Sequence, residues 1–233
     1  MINKIEKTYG ITLKGALKII NPIKKRIIKT YCLVHKFLNR QALRILHKKN
    51  YLDEYKFYSK YITFLNEGVV WADQDFKSIN HFFHYNKRSG LFGFSNALAE
   101  CCDYYNKAIE YYNQNNIEKS MFYIGAACHL IQDSTVPQHV NNKLLSEHRQ
   151  FELWIIDEVI NKNSFGELSN IVEYDNIKDY IIINSRKAYN IYLNNFHITD
   201  KYERYSSIAS EIIKLAQGST AGFLIKFYNE NVK

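Results

Sequence analysis

Apolar positions along the chain recur every three to four residues, a spacing that predicts helices. Leu33, Phe37, Leu38, Leu43 and Leu46 form one stripe, on a helix that starts at Pro22 and runs to about residue 48. Tyr51, Tyr55, Tyr58, Tyr61 and Phe64 form a second stripe over 51–67, with Gly68 as its stop. An aromatic stripe of this kind reads as core before it reads as a ligand cage. Residues 70–95 lose the period and hold Trp71, Asp73, Asp75, His81, His84, Gly90 and Gly93. A long irregular stretch within a helical domain is usually functional or disordered. Helices resume near 95–114 and 117–134, split by the polar run Asn113–Asn116, and Pro137 then turns the chain. Further helices fit 144–162, 176–193 and about 202–230, with a loop over 163–175. The pattern predicts an all-α protein, one compact multi-helix domain without internal repeats.

Composition supports that reading. Two prolines and nine glycines in 233 residues are too few turn formers for a many-stranded sandwich or barrel. No run of about 18 apolar residues exists, so no transmembrane helix is expected. The net charge of +8 is unevenly spread: residues 1–49 hold 13 Lys/Arg against one acid, Glu6, while the rest is mildly acidic. A basic lead can meet anionic lipid or nucleic acid, or it can be a solvated helix face. Cys32, Cys101, Cys102 and Cys128 follow no zinc-ribbon spacing, and buried free thiols are the expected state. The stretch Ile11–Ile20 is broken by Lys14 and Lys18 and precedes no small-residue cleavage site, so it is no clear signal peptide.

The most informative residues lie in a short window. His129 and Asp133 are four apart, as are His148 and Glu152, so each pair shares one face of a helix. His139 sits just past Pro137, in the turn between them. A single pair of this kind is commonly a surface ion pair. Two matched pairs and a turn histidine can converge on one cleft, and imidazole with carboxylate suits zinc.

The run Phe122-Tyr-Ile-Gly-Ala-Ala-Cys-His129-Leu-Ile-Gln-Asp133-Ser-Thr-Val-Pro137-Gln-His139-Val-Asn141 closely resembles the signature of the bacterial zinc-dependent phospholipases C. That family is itself distantly similar to the fungal P1-type nucleases. The resemblance extends to His35-Lys-Phe-Leu38 with Ala42-Leu43, to Gly68-Val-Val-Trp-Ala-Asp73, to His81-Phe-Phe, and to Ala216–Phe223. It covers roughly residues 30–230 and implies a catalytic domain over 30–233, following the basic lead 1–29, with no room for the further lipid-binding sandwich that some members carry.

The resemblance also implies three zinc ions. One takes Asp73, His81, His129 and Asp133; a second takes His139, His148 and Glu152; a third takes His35 and shares Asp133. In the family a processed N-terminal tryptophan completes the third site. Here Pro22 stands thirteen positions before His35, where that tryptophan belongs, which leaves the completion of the site open. Cys32, three residues before His35, is either a substitute ligand on the same helix face or a small core residue. Asp73 is the candidate catalytic residue, orienting or deprotonating water besides ligating. The aromatics that flank this aspartate and histidine in choline-preferring members are replaced by Gln74 and Ser78, which weakens the expected choline preference.

The implied substrate is a phosphatidylcholine-like lipid at a membrane surface, cleaved to a diacylglycerol and a phosphorylated headgroup, with no stable protein partner evident. The alternatives are a P1-type zinc nuclease acting on nucleic acid and a non-catalytic zinc-stabilised binding protein. Family members are secreted, whereas the sequence itself leaves the cytoplasm open. His47, His84 and His197 have no place in these sets and read as structural or solvated.

Overall fold

The structure, a computed structural model, describes residues 32–74, 80–90, 95–140, 146–162 and 164–233. The basic lead, the expected helix start at Pro22, and Asp75, Ser78, Gly93 and Asn141 lie outside the described residues. Among the described residues there are nine helices and no strand. They are α1 (32–48), α2 (Leu52–Lys60), α3 (Ile62–Ala72), α4 (Ala97–Asn113), α5 (Ile117–Asp133), α6 (Pro137–Val140), α7 (Ser146–Ile160), α8 (Ile177–Asn195) and α9 (Lys201–Asn231). None of the described helices is long and apolar enough to cross a membrane.

Local chemistry sets the helix ends. Asn96, Asn116 and Asp200 cap α4, α5 and α9, each side chain accepting from the backbone N–H three residues on. Asn50 and Asn115 take left-handed backbone conformations, with φ of 64° and 57°, and so end α1 and α4. The polar run Asn113–Asn116 thus stops one helix and caps the next.

Two expectations change. The aromatic stripe over 51–67 is two helices, broken at Tyr61, whose backbone departs from helical geometry. Gly68 does not end a helix. It lies inside α3, against α5, and a Cβ there would fall 1.8 Å from Phe122 O; a Cβ on Gly125 of α5 would fall 1.9 Å from Leu65 O. The two helices therefore cross with their backbones in contact, which only glycine permits at these positions.

α5 is the centre of the fold, with twelve of its seventeen residues buried, so it is apolar nearly all round rather than amphipathic. The main core gathers α1 to α5, α8 and the C-terminal half of α9 around Leu46, Tyr58, Leu65, Met121, Ile124, Leu130, Phe223 and Phe227. Tyr58, buried within the aromatic stripe, donates its hydroxyl to Leu224 O at 2.8 Å. A second core packs Phe151, Ile155 and Val159 of α7 against Leu38 of α1 and Tyr205, Ile208 and Ile212 of α9. At 31 residues α9 is about 46 Å long and joins the two cores. The four thiols are free, three of them buried, as expected.

Candidate metal centre

The end of α5 meets donors from several other elements. Its last carbonyls are satisfied locally: Ser134 Oγ donates to Ile131 O and Thr135 Oγ1 to Gln132 O, each at 2.7 Å. This tight end holds His129 and Asp133, one turn apart, on the face that meets His35, His81 and His139. Asp73 is the C-cap of α3, and α1 lays His35 alongside, its ring 4.1 Å from that of His129.

Asp133 is the hub. Its Oδ1 lies 3.5 Å from His35 Nε2, and its Oδ2 lies 2.8 Å from His81 Nδ1, 3.2 Å from His129 Nε2 and 3.7 Å from His139 Nδ1. Burial alone would raise the pKa of its carboxyl, but the His129 and His139 imidazoles hold it well below the usual carboxylate range. Burial pushes the His129 ring down, and the His35 ring down to about 4. Burial likewise raises the Asp73 carboxyl.

The second collection of donors is arranged differently. Contrary to expectation, His139 sits not in a turn but on the short helix α6, which Pro137 starts. The segment 83–85 runs beside α6, with Phe83 and Tyr85 donating their N–H groups to the carbonyls of His139 and Val140. Phe82 stacks on the His139 ring at 4.8 Å. From α7, His148 and Glu152 face the same ring. His148 Nε2 is 3.1 Å from His139 Nε2 and 2.8 Å from Glu152 Oε1, and Glu152 Oε1 is 3.6 Å from His139 Nε2. Glu152 is buried enough to raise its pKa, yet hydrogen bonds from His139 and His148 lower it to about 2. Burial opposes the charged form of His139, but Asp133 and Glu152 outweigh it and raise its pKa.

Three groups of donor atoms result, each within 4.8 Å: His35, His129 and Asp133; Asp73, His81 and His129; His139, His148 and Glu152. The eight residues singled out from the sequence thus come together. His84 does not join them; it accepts from the N–H groups of Asn86 and Lys87 in its own turn. His47 packs on Tyr55. Cys32 belongs to none of the three groups: its buried thiol donates to Asp73 Oδ2 at 3.7 Å, and burial pushes that thiol's pKa up. The core reading of Cys32 accounts for its position, together with a contact to a candidate ligand. Gln132, which the sequence did not single out, is a buried neighbour, its Oε1 lying 2.8 Å from His35 Nδ1. Its place one residue before Asp133 gives no signal, since adjacent residues on a helix point about 100° apart.

A cation fits this donor set. His81 Nε2 donates to Ala72 O at 3.1 Å, so in the neutral ring Nδ1 carries a lone pair. That lone pair faces Asp133 Oδ2 and, at 3.2 Å, His129 Nε2. Asp133 Oδ2, 2.8 Å from that lone pair, is buried without a hydrogen-bond partner. Two buried acceptors so placed repel one another unless a positive charge lies between them. Imidazole nitrogens with carboxylate oxygens are the donors zinc takes.

Comparison with known proteins points the same way. The family model described as zinc dependent phospholipase C matches residues 34–211. No curated protein matches the chain by sequence. Among solved structures, the alpha toxin from Clostridium absonum matches with a TM-score of 0.69 and 18% identity, over 84% of this chain and 63% of the toxin chain. The alpha-toxin of an avian strain of Clostridium perfringens matches with a TM-score of 0.69 and 15% identity, over 85% and 64%. At such identities the likeness is one of fold. The chain spans a little under two thirds of the length of these toxins.

Proposed function

Because the chain belongs to the zinc dependent phospholipase C family, we propose that it hydrolyses the glycerol-side phosphodiester bond of phospholipids. The products are a diacylglycerol and a phosphorylated headgroup. The observation that carries this reading is the convergence of eight imidazole and carboxylate side chains, from five helices and one loop, into three adjoining donor groups. Residues 30–233 act as the catalytic domain, with the basic stretch 1–29 as a lead toward an anionic membrane surface.

In this reading Asp73, His81, His129 and Asp133 hold one zinc, His139, His148 and Glu152 a second, and His35 with Asp133 a third. Zinc, when bound, neutralises phosphoryl oxygens and makes water a stronger nucleophile near neutral pH. The protein's own residues do the rest. His81 donates to Ala72 O and so keeps its other nitrogen turned inward. Phe82, stacked on His139, fixes the plane of that ring. Asp73 has one oxygen engaged by the Cys32 thiol. Besides ligating, this carboxylate would accept the proton of the attacking water.

The test is release of phosphorylated headgroup from vesicles of defined composition, with single-stranded nucleic acid as the parallel substrate under identical zinc. Headgroup release that stops on chelation supports the reading; hydrolysis of nucleic acid alone overturns it in favour of a nuclease. Gln74 and Ser78 supply no aromatic face for a quaternary ammonium. Choline and ethanolamine lipids should therefore be cleaved at rates within about tenfold, roughly 1.4 kcal/mol. A larger choline preference would mean that other aromatics form the cage.

A further inference from the structure

Gln132 fills a buried position in α5 where an apolar side chain would pack without needing partners. It has three partners instead. Its Oε1 lies 2.8 Å from His35 Nδ1, and its Nε2 donates to Asn39 Oδ1 at 2.9 Å and to Thr220 Oγ1 at 3.1 Å. We propose that Gln132 is a positioning residue that fixes the tautomer of His35, and that a backbone carbonyl on α9 sets its own orientation. The proposal rests on the reading of His35 as a zinc ligand.

One group in this network cannot reverse its role. Ala216 O can only accept, and Thr220 Oγ1 donates its hydrogen to it at 2.7 Å. The Thr220 oxygen can then only accept from Gln132, which requires the Gln132 NH2 group on that side. A second restraint agrees. Asn39 gives its Nδ2 hydrogen to Asn66 Oδ1 at 3.1 Å, so its Oδ1 is turned to accept from the same NH2 group. With its nitrogen committed twice, Gln132 presents Oε1 to His35. A carbonyl oxygen only accepts, so Nδ1 of His35 carries the hydrogen. The lone pair of the neutral ring then sits on Nε2, the nitrogen that faces Asp133 Oδ1. A metal binds that lone pair and not an N–H. The network draws on α1, α3, α5 and α9, so the tautomer of one ring is set by the packing of four helices.

The experiment reads the tautomer directly. The full chain is labelled with 15N-histidine and stripped of metal. Its imidazole nitrogens are observed by long-range 1H–15N NMR at pH 8, with His35 assigned by the signal lost in His35→Gln. The proposal expects the Nδ1–H form in the native protein. It expects a mixture or the Nε2–H form in Gln132→Met, which keeps the volume and removes the acceptor. Zinc titration of the same variant should show one site about 10–100-fold weaker.

Should Gln132→Met fail to fold by circular dichroism, Thr220→Val and Thr220→Ser take its place. The first frees the amide to turn and should mix the tautomers, whereas the second should not. An Nε2–H ring in the native protein, or an unchanged tautomer in both Gln132→Met and Thr220→Val, overturns the proposal. A shifted tautomer with zinc count and affinity unchanged upholds it, and counts instead against His35 as a ligand.

Discussion

The two i, i+4 pairs look alike on paper and sit in unlike surroundings. His129 and Asp133 end a helix buried on nearly every side, and the Asp133 side chain is 6% exposed. His148 and Glu152 lie on a helix packed on one face only, and the Glu152 side chain is 34% exposed. The inner pair rests on two helices whose backbones touch at Gly68 and Gly125. The outer pair rests on side-chain packing and the four-residue helix α6. Donors in a dry, rigid surround are costly to leave uncompensated, while donors at a wetter edge can borrow water.

The difference between the pairs shows most strongly when one carboxylate of each is neutralised. Asp133→Asn should lower headgroup release by about a thousandfold or more, about 4 kcal/mol, since Asp133 faces donors of all three groups. Glu152→Gln should lose only about 10–100-fold. Equal losses, with both variants folded, would mean that burial does not separate the pairs.

Next in size is the support beneath them. Gly125→Ala places a methyl group inside the backbone of α3 and should cost about 3 kcal/mol or more in urea unfolding. Ile155→Ala, beneath the outer pair, should cost about 2–3 kcal/mol and leave the inner sites able to bind zinc in titration. A Gly125→Ala protein as stable as the native one would contradict the backbone contact.

A smaller effect separates the metal-free and loaded proteins by pH. The lowered Glu152 contributes stability above its ordinary value of 4.5, which is lost as pH falls toward about 2. The raised His139 contributes stability below its ordinary 6.5, which is lost as pH rises through its folded value. His35 and His129, lowered by burial, act the other way, gaining stability as pH rises through 6.5, so the stripped protein should not strengthen enough between pH 6 and pH 8 to match the gain from zinc. Zinc needs deprotonated ligands and stabilises more strongly over the same range. The drop in Tm on chelation, followed by calorimetry, should widen by a few degrees between pH 6 and pH 8. A constant or narrowing gap would remove these groups from the ligand set.

The smallest effect belongs to Cys32. Cys32→Ser keeps a donor to Asp73 and should leave the zinc count unchanged, with activity within about threefold of native. A lost zinc would restore Cys32 as a ligand.

Much of the fold was legible because helix periodicity and capping are local. The Asn113–Asn116 break, the run of α5 and the loop after α7 fall where the pattern puts them. What escaped was tertiary. Gly68 is a helix stop by local rules and a helix crossing in fact, since Phe122, which it meets, is 54 residues away. In the site, the spacing of His129 with Asp133 announced a shared face. Nothing local says that Asp73 and His35 reach the same carboxylate's neighbourhood from α3 and α1. Gln132 was invisible for the same reason, its partners being 88 to 97 residues away.

The ends of α3 and α5 carry one more consequence. Both helices stop at the site, at Ala72 and Asp133, so both direct the negative ends of their macrodipoles toward the donors. Each end is worth about 0.3–1 kcal/mol to a cation there and costs an anion as much. A phosphodiester approaching the metal-free protein meets two helix dipoles and three carboxylates of its own sign. The field thus favours an order of arrival, cation before phosphate, and under the proposed function makes bound metal a condition for recognising the phosphodiester as well as for cleaving it.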